Sequence, residues 1–433
     1  MGKTGESHVR LRLIIMNILQ WAAWGAYLTS MGSFLAKSGF ADKIGLTYSV
    51  QGFVSIFMPA AMGIVADRFI APQRTMGLCH LITGLCLVSA GTYAVHCGTG
   101  MSFPVWFTLY ATGCAFFMPT ISISYGVAYK ILEDNGFDNI KTYPSIRVFG
   151  TIGFILSMLA VNFIHNSEGV AFQFTGNQFI FSGAISLCVF LYSFTLPNCV
   201  VDYKGKNETF VERLGLNAFR LFKDRDLAVF FIFSALLGVA MQITNGFANP
   251  YISSFMDNPQ YADSWGARNA NALISLSQIS ETLCILLIPI VFKKLGIKKV
   301  LLISMVAWFL RFALLGLGNP GTGIWMFVLS CIVYGIAFDF FNISGSLYVN
   351  ERTAKGMRHS AQGLFMLMTN GFGATFGTLG AQLVVNRFVI NAEEPSWPTA
   401  WMIFAFYALA LALAFTFAFG GRERKIFHWK SHH

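Results

Sequence analysis

Runs of about twenty consecutive apolar residues dominate this chain, and their length constrains the fold more than any other feature. A bilayer's hydrocarbon core is about 30 Å thick and a helix rises about 1.5 Å per residue, so each run is long enough to cross it. Twelve such runs start near Leu11, Gly45, Met76, Phe103, Ile146, Gln178, Leu227, Ala270, Val300, Gly323, Ala361 and Trp397. Composition agrees: the 433 residues are 55% hydrophobic and only 12% charged, with 44 Phe. A soluble domain carries about 25% charged residues, so this chain has too little charged surface to stay dissolved. An ordinary cytosolic enzyme, a disordered chain and a nucleic-acid-binding module are thereby excluded. The first run, Leu11 to Ala36, is too long for a cleaved signal peptide.

The longest hydrophilic interruption, Pro197 to Asp226, divides the runs into six and six. It predicts an N-terminal six-helix bundle over 1–196, a cytoplasmic central loop over 197–226, and a C-terminal bundle with a short tail over 227–433. Six plus six around a charged loop resembles the layout of the major facilitator architecture. Numbering the loops alternately from an internal N-terminus puts 24 Lys and Arg inside and 4 outside (Lys37, Lys43, Arg268 and Arg387). Basic loops stay cytoplasmic, so both termini are expected inside and the span number even. The net charge of +10 is then explained by these loops, without a nucleic-acid partner. The eight cysteines form no C-x-x-C pair and read as small buried hydrophobes. No metal-ligating His cluster, P-loop or nucleophile elbow is present, so neither an enzyme nor an ATP-driven pump is expected.

Four ionisable residues fall inside the apolar runs: Arg147, Glu281, Arg311 and Asp339. A charge at bilayer depth costs about 2.5–3.5 kcal/mol on insertion scales, so each must face the bundle interior or a wet cavity. Three of them belong to polar or aromatic stripes at helical spacing. Arg147, Thr151 and Phe154 stand at i, i+4 and i+7; Gln278 and Glu281 at i and i+3; Tyr334 and Phe338 at i and i+4, with Asp339 adjacent. A fourth stripe, Gln242 and Asn245, carries amides alone. Single amides equally serve as structural cross-links between spanning helices, and Tyr334 and Phe338 alone would read as packing. Arg311 has no polar stripe in its own sequence neighbourhood and reads as structural. Together, however, the stripes offer donors, acceptors and stacking faces to a neutral polyhydroxyl or heterocyclic solute. Arg147 and Glu281, approaching in one state and parting in another, could bind and release a proton.

Longer strings carry a resemblance. Gly63-Ile-Val-Ala-Asp67-Arg68 is similar to the cytoplasmic loop motif of the major facilitator superfamily, whose Asp and Arg brace helix ends. Met118-Pro-Thr120, Ile146 to Phe154, Gln242 to Asn245, Ser277 to Thr282, Ala307 to Leu314, Ala337 to Ser346 and Met368 to Gly373 resemble the bacterial nucleoside:proton symporters of that superfamily. The resemblance implies a twelve-helix major facilitator fold in the bacterial inner membrane. It implies a monomeric importer of nucleosides by proton symport through alternating access, with no cofactor beyond the coupling proton. It places substrate binding on Arg147, Thr151, Phe154, Gln242, Asn245, Gln278, Glu281, Tyr334 and Phe338, and proton coupling on Glu281 or Asp339. The alternatives are a proton-coupled importer of another polar solute, such as a modified nucleoside or an oligosaccharide, and a membrane sensor that has lost transport.

Overall fold

The computed structural model describes residues 3–199, 216–353 and 358–419. Among these the chain is helical almost throughout, and the extended pairing is one isolated bridge between His165 and Ala171. The first half consists of α1 (Lys3–Gly25), α2 (Met31–Lys37), α3 (Ile44–Arg68), α4 (Pro72–Cys97), α5 (Phe103–Asp134), α6 (Asn139–Phe163) and α7 (Asn177–Ser193). The second half consists of α8 (Arg225–Ser254), α9 (Ala270–Leu317), α10 (Ile324–Arg352), α11 (Arg358–Met366), α12 (Ala374–Val385) and α13 (Trp397–Ala418). Eight helical stretches among the described residues are long and apolar enough to cross a membrane. Most of the expected central loop, and the tail beyond Phe419, lie outside the described residues.

Two departures from regular helix matter. Within α9, Gly296 has φ 72° and ψ 169°, a backbone conformation open in practice to glycine alone. It divides α9 into limbs 270–295 and 297–317, which coincide with the separate runs expected from Ala270 and Val300. Between α11 and α12, Leu367–Gly373 widens into a π-helix. Such turns recur at functional sites because the extra residue per turn redirects the side chains.

Packing follows from a polarity opposite to that of a soluble protein. Large apolar side chains such as Phe376, Leu383 and Phe417 are exposed, while Gln20, His80, Asn249 and Asn271 are buried. An apolar exterior suits lipid, and the buried polar groups must find one another inside. In the first half, α1 packs on α6, α4 on α5 and α7, and α3 on α5. In the second, α9 packs on α10 and α13, and α8 on α12 and the π-turn.

The halves meet where α3 lies against α12, α6 against α9, and α2 against α8. A Cβ on Gly45 would stand 2.4 Å from the Thr378 carbonyl oxygen, so only hydrogen at that position lets α3 and α12 approach this closely. The seam is closed by amides and hydroxyls. Thr29 Oγ1 donates to Asn271 Oδ1 (2.5 Å) and Ser33 Oγ to Asn249 Oδ1 (2.6 Å). Asn162 Nδ2 donates to Asn269 Oδ1 (2.8 Å), and Asn271 Nδ2 to the Met158 carbonyl (3.0 Å). Gln382 clasps the start of α3, accepting from the Gly45 amide (2.6 Å) and donating to the Ala41 carbonyl (3.0 Å). These bonds gather at the end of the molecule where α2 ends and α9 begins.

Candidate functional site

The four stripes come from α6, α8, the first limb of α9, and α10. Each is a helix carrying polar groups on one side, so the backbone fixes their spacing and packing decides which stripes meet. On α6, Arg147 is half-buried. Its Nε donates to the Tyr125 hydroxyl (3.2 Å) and its Nη1 to Thr151 Oγ1 (3.4 Å). The guanidinium carbon lies 3.9 Å from the centre of the Trp21 ring. The arginine is thus held by α1, α5 and its own helix, and its cost is offset by a cation–π contact and two hydroxyls. Phe154, two turns further on, is buried with its ring edge-on to Trp24 at 6.3 Å.

In the second half, Asn245 Nδ2 donates to Gln242 Oε1 (3.0 Å), so the two amides of α8 form one unit. Gln278 and Glu281 are both half-buried on α9. α6, which carries Arg147, packs against α9, which carries Glu281, and among the described residues the two side chains are not joined as an ion pair. On α10, Tyr334 and Phe338 stack with ring centres 5.4 Å apart. Tyr334 also meets Trp308 edge-on at 5.9 Å. Asp339 is 3% exposed, and its Oδ2 has no hydrogen-bond partner among the described residues.

The structure therefore sets the helix of Arg147 against the helix of Glu281 across the two halves. It pairs Gln242 with Asn245 and Tyr334 with Phe338, while Phe154 packs toward α1. Of the loop motif, Gly63 lies on α3, and the side chains of Asp67 and Arg68 lie outside the described residues. Sequence reasoning passed over Trp21, Trp24 and Tyr125, which hold Arg147 and Phe154. The signal was there as two tryptophans at i and i+3 in the first apolar run, but tryptophan in an apolar run reads as packing until its partner is known. The polar partners of Arg311 lie outside its own sequence neighbourhood: Ser277 on the first limb of α9 and Ser330 on α10.

Residues 7–424 match the nucleoside H+ symporter family. The chain belongs to that family. It is 40% identical over 404 residues to the xanthosine permease of Escherichia coli (strain K12), covering 93% of each chain. The crystal structure of the nucleoside transporter NupG superposes with a TM-score of 0.86 at 39% identity, covering 95% of this chain and 99% of that one. The xylose transporter XylE from E. coli, at 12% identity, still superposes with a TM-score of 0.67 over 94% of this symporter-family chain and 95% of its own, and so shares its fold. The expected all-helical transporter fold of the major facilitator kind is what the structure has, and these relatives are transporters, not enzymes.

Proposed function

We propose that this protein is a proton-coupled nucleoside importer of the bacterial inner membrane, working as a monomer by alternating access between two six-helix bundles. The bundles comprise residues 1–196 and 227–433, joined by the 197–226 loop, and the twelve spans leave both termini in the cytoplasm. The observation that carries the reading is the packing of the helix of Arg147 in one half against the helix of Glu281 in the other, both charges standing within spans whose lipid surroundings would not tolerate them. The family and the two nucleoside-transporting relatives support the choice of solute.

Gln242, Asn245, Gln278 and Thr151 supply donors and acceptors for ribose hydroxyls and base edges. Tyr334, Phe338 and Phe154 supply faces for the base. The unpaired arrangement of Arg147 and Glu281 leaves the carboxyl free to take a proton, and Asp339 is the second candidate. One proton moving down a membrane potential yields about 2.3 kcal/mol per 100 mV, enough for roughly fifty-fold accumulation. The hydrogen bonds between the halves gather at the end opposite the basic loops. With those loops cytoplasmic, the closed end faces outward, which supports reading this state as inward-facing.

The test is uptake by proteoliposomes of tritiated uridine, adenosine and xanthosine. Accumulation above equilibrium should require an inward proton gradient and collapse with a protonophore. Uptake indifferent to the protonophore would remove the symport claim, and no uptake or exchange of any nucleoside would remove the solute.

A further inference from the structure

Arg311 is the one intramembrane charge that the proposed mechanism leaves without a task. It stands on the second limb of α9, is 3% exposed, and takes part in no ion pair among the described residues. A buried cation without a counter-ion is expensive, and an apolar residue would fill the same space at lower cost. Its contacts indicate what it does instead. Nη1 donates to the Ser330 carbonyl on α10 (2.9 Å) and to Ser277 Oγ on the first limb of α9 (3.3 Å). Ser330 returns the contact, its hydroxyl donating to the Arg311 carbonyl (3.1 Å). The guanidinium carbon lies 4.4 Å from the centre of the Tyr334 ring.

These partners are not scattered. Ser277 immediately precedes Gln278 and lies one turn before Glu281; Ser330 lies one turn before Tyr334. The fork thus joins the two helices that carry Gln278, Glu281, Tyr334 and Phe338, and it rests on the face of one of those residues. A planar guanidinium can do all this at once, because its donors lie in one plane while that plane stacks on a ring. A packing residue could fill the volume, but it could not hold the register of both helices and orient the ring.

We infer that Arg311 is a positioning residue for nucleoside recognition, acting through Tyr334: it fixes the ring against which the base is read. The inference rests on the site proposed above, in which Tyr334 touches the solute.

A double-mutant cycle tests it, using full-length protein in lipid nanodiscs and equilibrium binding of tritiated uridine and adenosine. Arg311→Gln should weaken binding roughly three- to thirtyfold, the range expected from a desolvated cation–π contact. In a Tyr334→Leu background the same substitution should change affinity less than about twofold, because the ring it positions is gone. An equal loss in both backgrounds would mean that Arg311 acts on the fold at large, and would overturn the inference while leaving the site intact. A Tyr334→Leu protein that binds both nucleosides normally would overturn the inference and the site reading together. If Arg311→Gln does not reach the membrane, Arg311→Lys, which keeps the cation and loses the fork, completes the cycle with the same two decisive outcomes.

Discussion

The Arg147 guanidinium lies over Trp21, its carbon 3.9 Å from the ring centre, so the first apolar run of the chain holds the one arginine of the fifth. The contact is worth about 0.5–2 kcal/mol depending on how dry it is. Trp21→Leu should therefore raise the KM for nucleoside uptake roughly two- to thirtyfold and leave the amount of protein in the membrane unchanged. An unaltered KM in proteoliposomes would detach Trp21 from the site.

Glu281 separates binding from coupling. Glu281→Gln keeps a hydrogen-bonding group of the same shape but cannot exchange a proton. Counterflow exchange of labelled for unlabelled nucleoside should survive in this variant, while accumulation driven by a proton gradient is lost. If gradient-driven accumulation persists, the coupling carboxyl is elsewhere, and Asp339→Asn is the next measurement.

At the seam, Ser33 Oγ and Asn249 Oδ1 are 2.6 Å apart across the two halves. Replacing both, as Ser33→Cys with Asn249→Cys, puts two thiols within reach of one another while the seam is closed. Mild oxidation should stop uptake, and reductant should restore it to near the starting rate. Uptake that continues through complete cross-linking, assessed by mass spectrometry, would show that the halves need not part here during transport.

Gly45 offers a steric counterpart to that experiment. A side chain there meets the Thr378 carbonyl at 2.4 Å and Gln382 Cβ at 2.5 Å. Gly45→Val should oppose closure by about 1–3 kcal/mol, the usual cost of overpacking. Reagents that modify cysteine from outside should then label a Ser33→Cys protein several-fold faster in the Gly45→Val background. Equal labelling rates would mean that the helices move apart without opening the seam.

Much of the helical order was legible because hydropathy reports the solvent that a segment must sit in. Helices begin at Phe103, Ala270 and Trp397, where apolar runs were expected to start, and within a residue or two of Gly45, Gln178 and Gly323. The expectation failed where a helix outruns the lipid. α6 starts at Asn139, seven residues before the expected Ile146, and carries Pro144 inside its polar first turns. Hydropathy reads apolar length, whereas backbone hydrogen bonding continues into water. The π-turn at Leu367–Gly373 left no mark in periodicity, since one added residue per turn is lost among uniformly apolar or small neighbours.

The stripes were legible because a charge in an apolar run is too costly to be incidental. Their partners were not. Trp21 against Arg147, and Ser277 with Ser330 around Arg311, are relations between separate helical segments, and no spacing rule within one stripe encodes them. The amide seam was missed for the same reason: Thr29, Asn162 and Asn271 each look like an isolated polar residue until the halves are brought together.

The hydrogen bonds described at that seam join hydroxyls, carboxamides and backbone groups, none of which carries a formal charge. Dissolved ions screen net charges and have little purchase on neutral dipoles in contact. A cell moved from fresh water to brine would find this face latching with almost the same firmness, and the ionic strength of the surroundings would bear on what is captured far more than on whether the door stays shut.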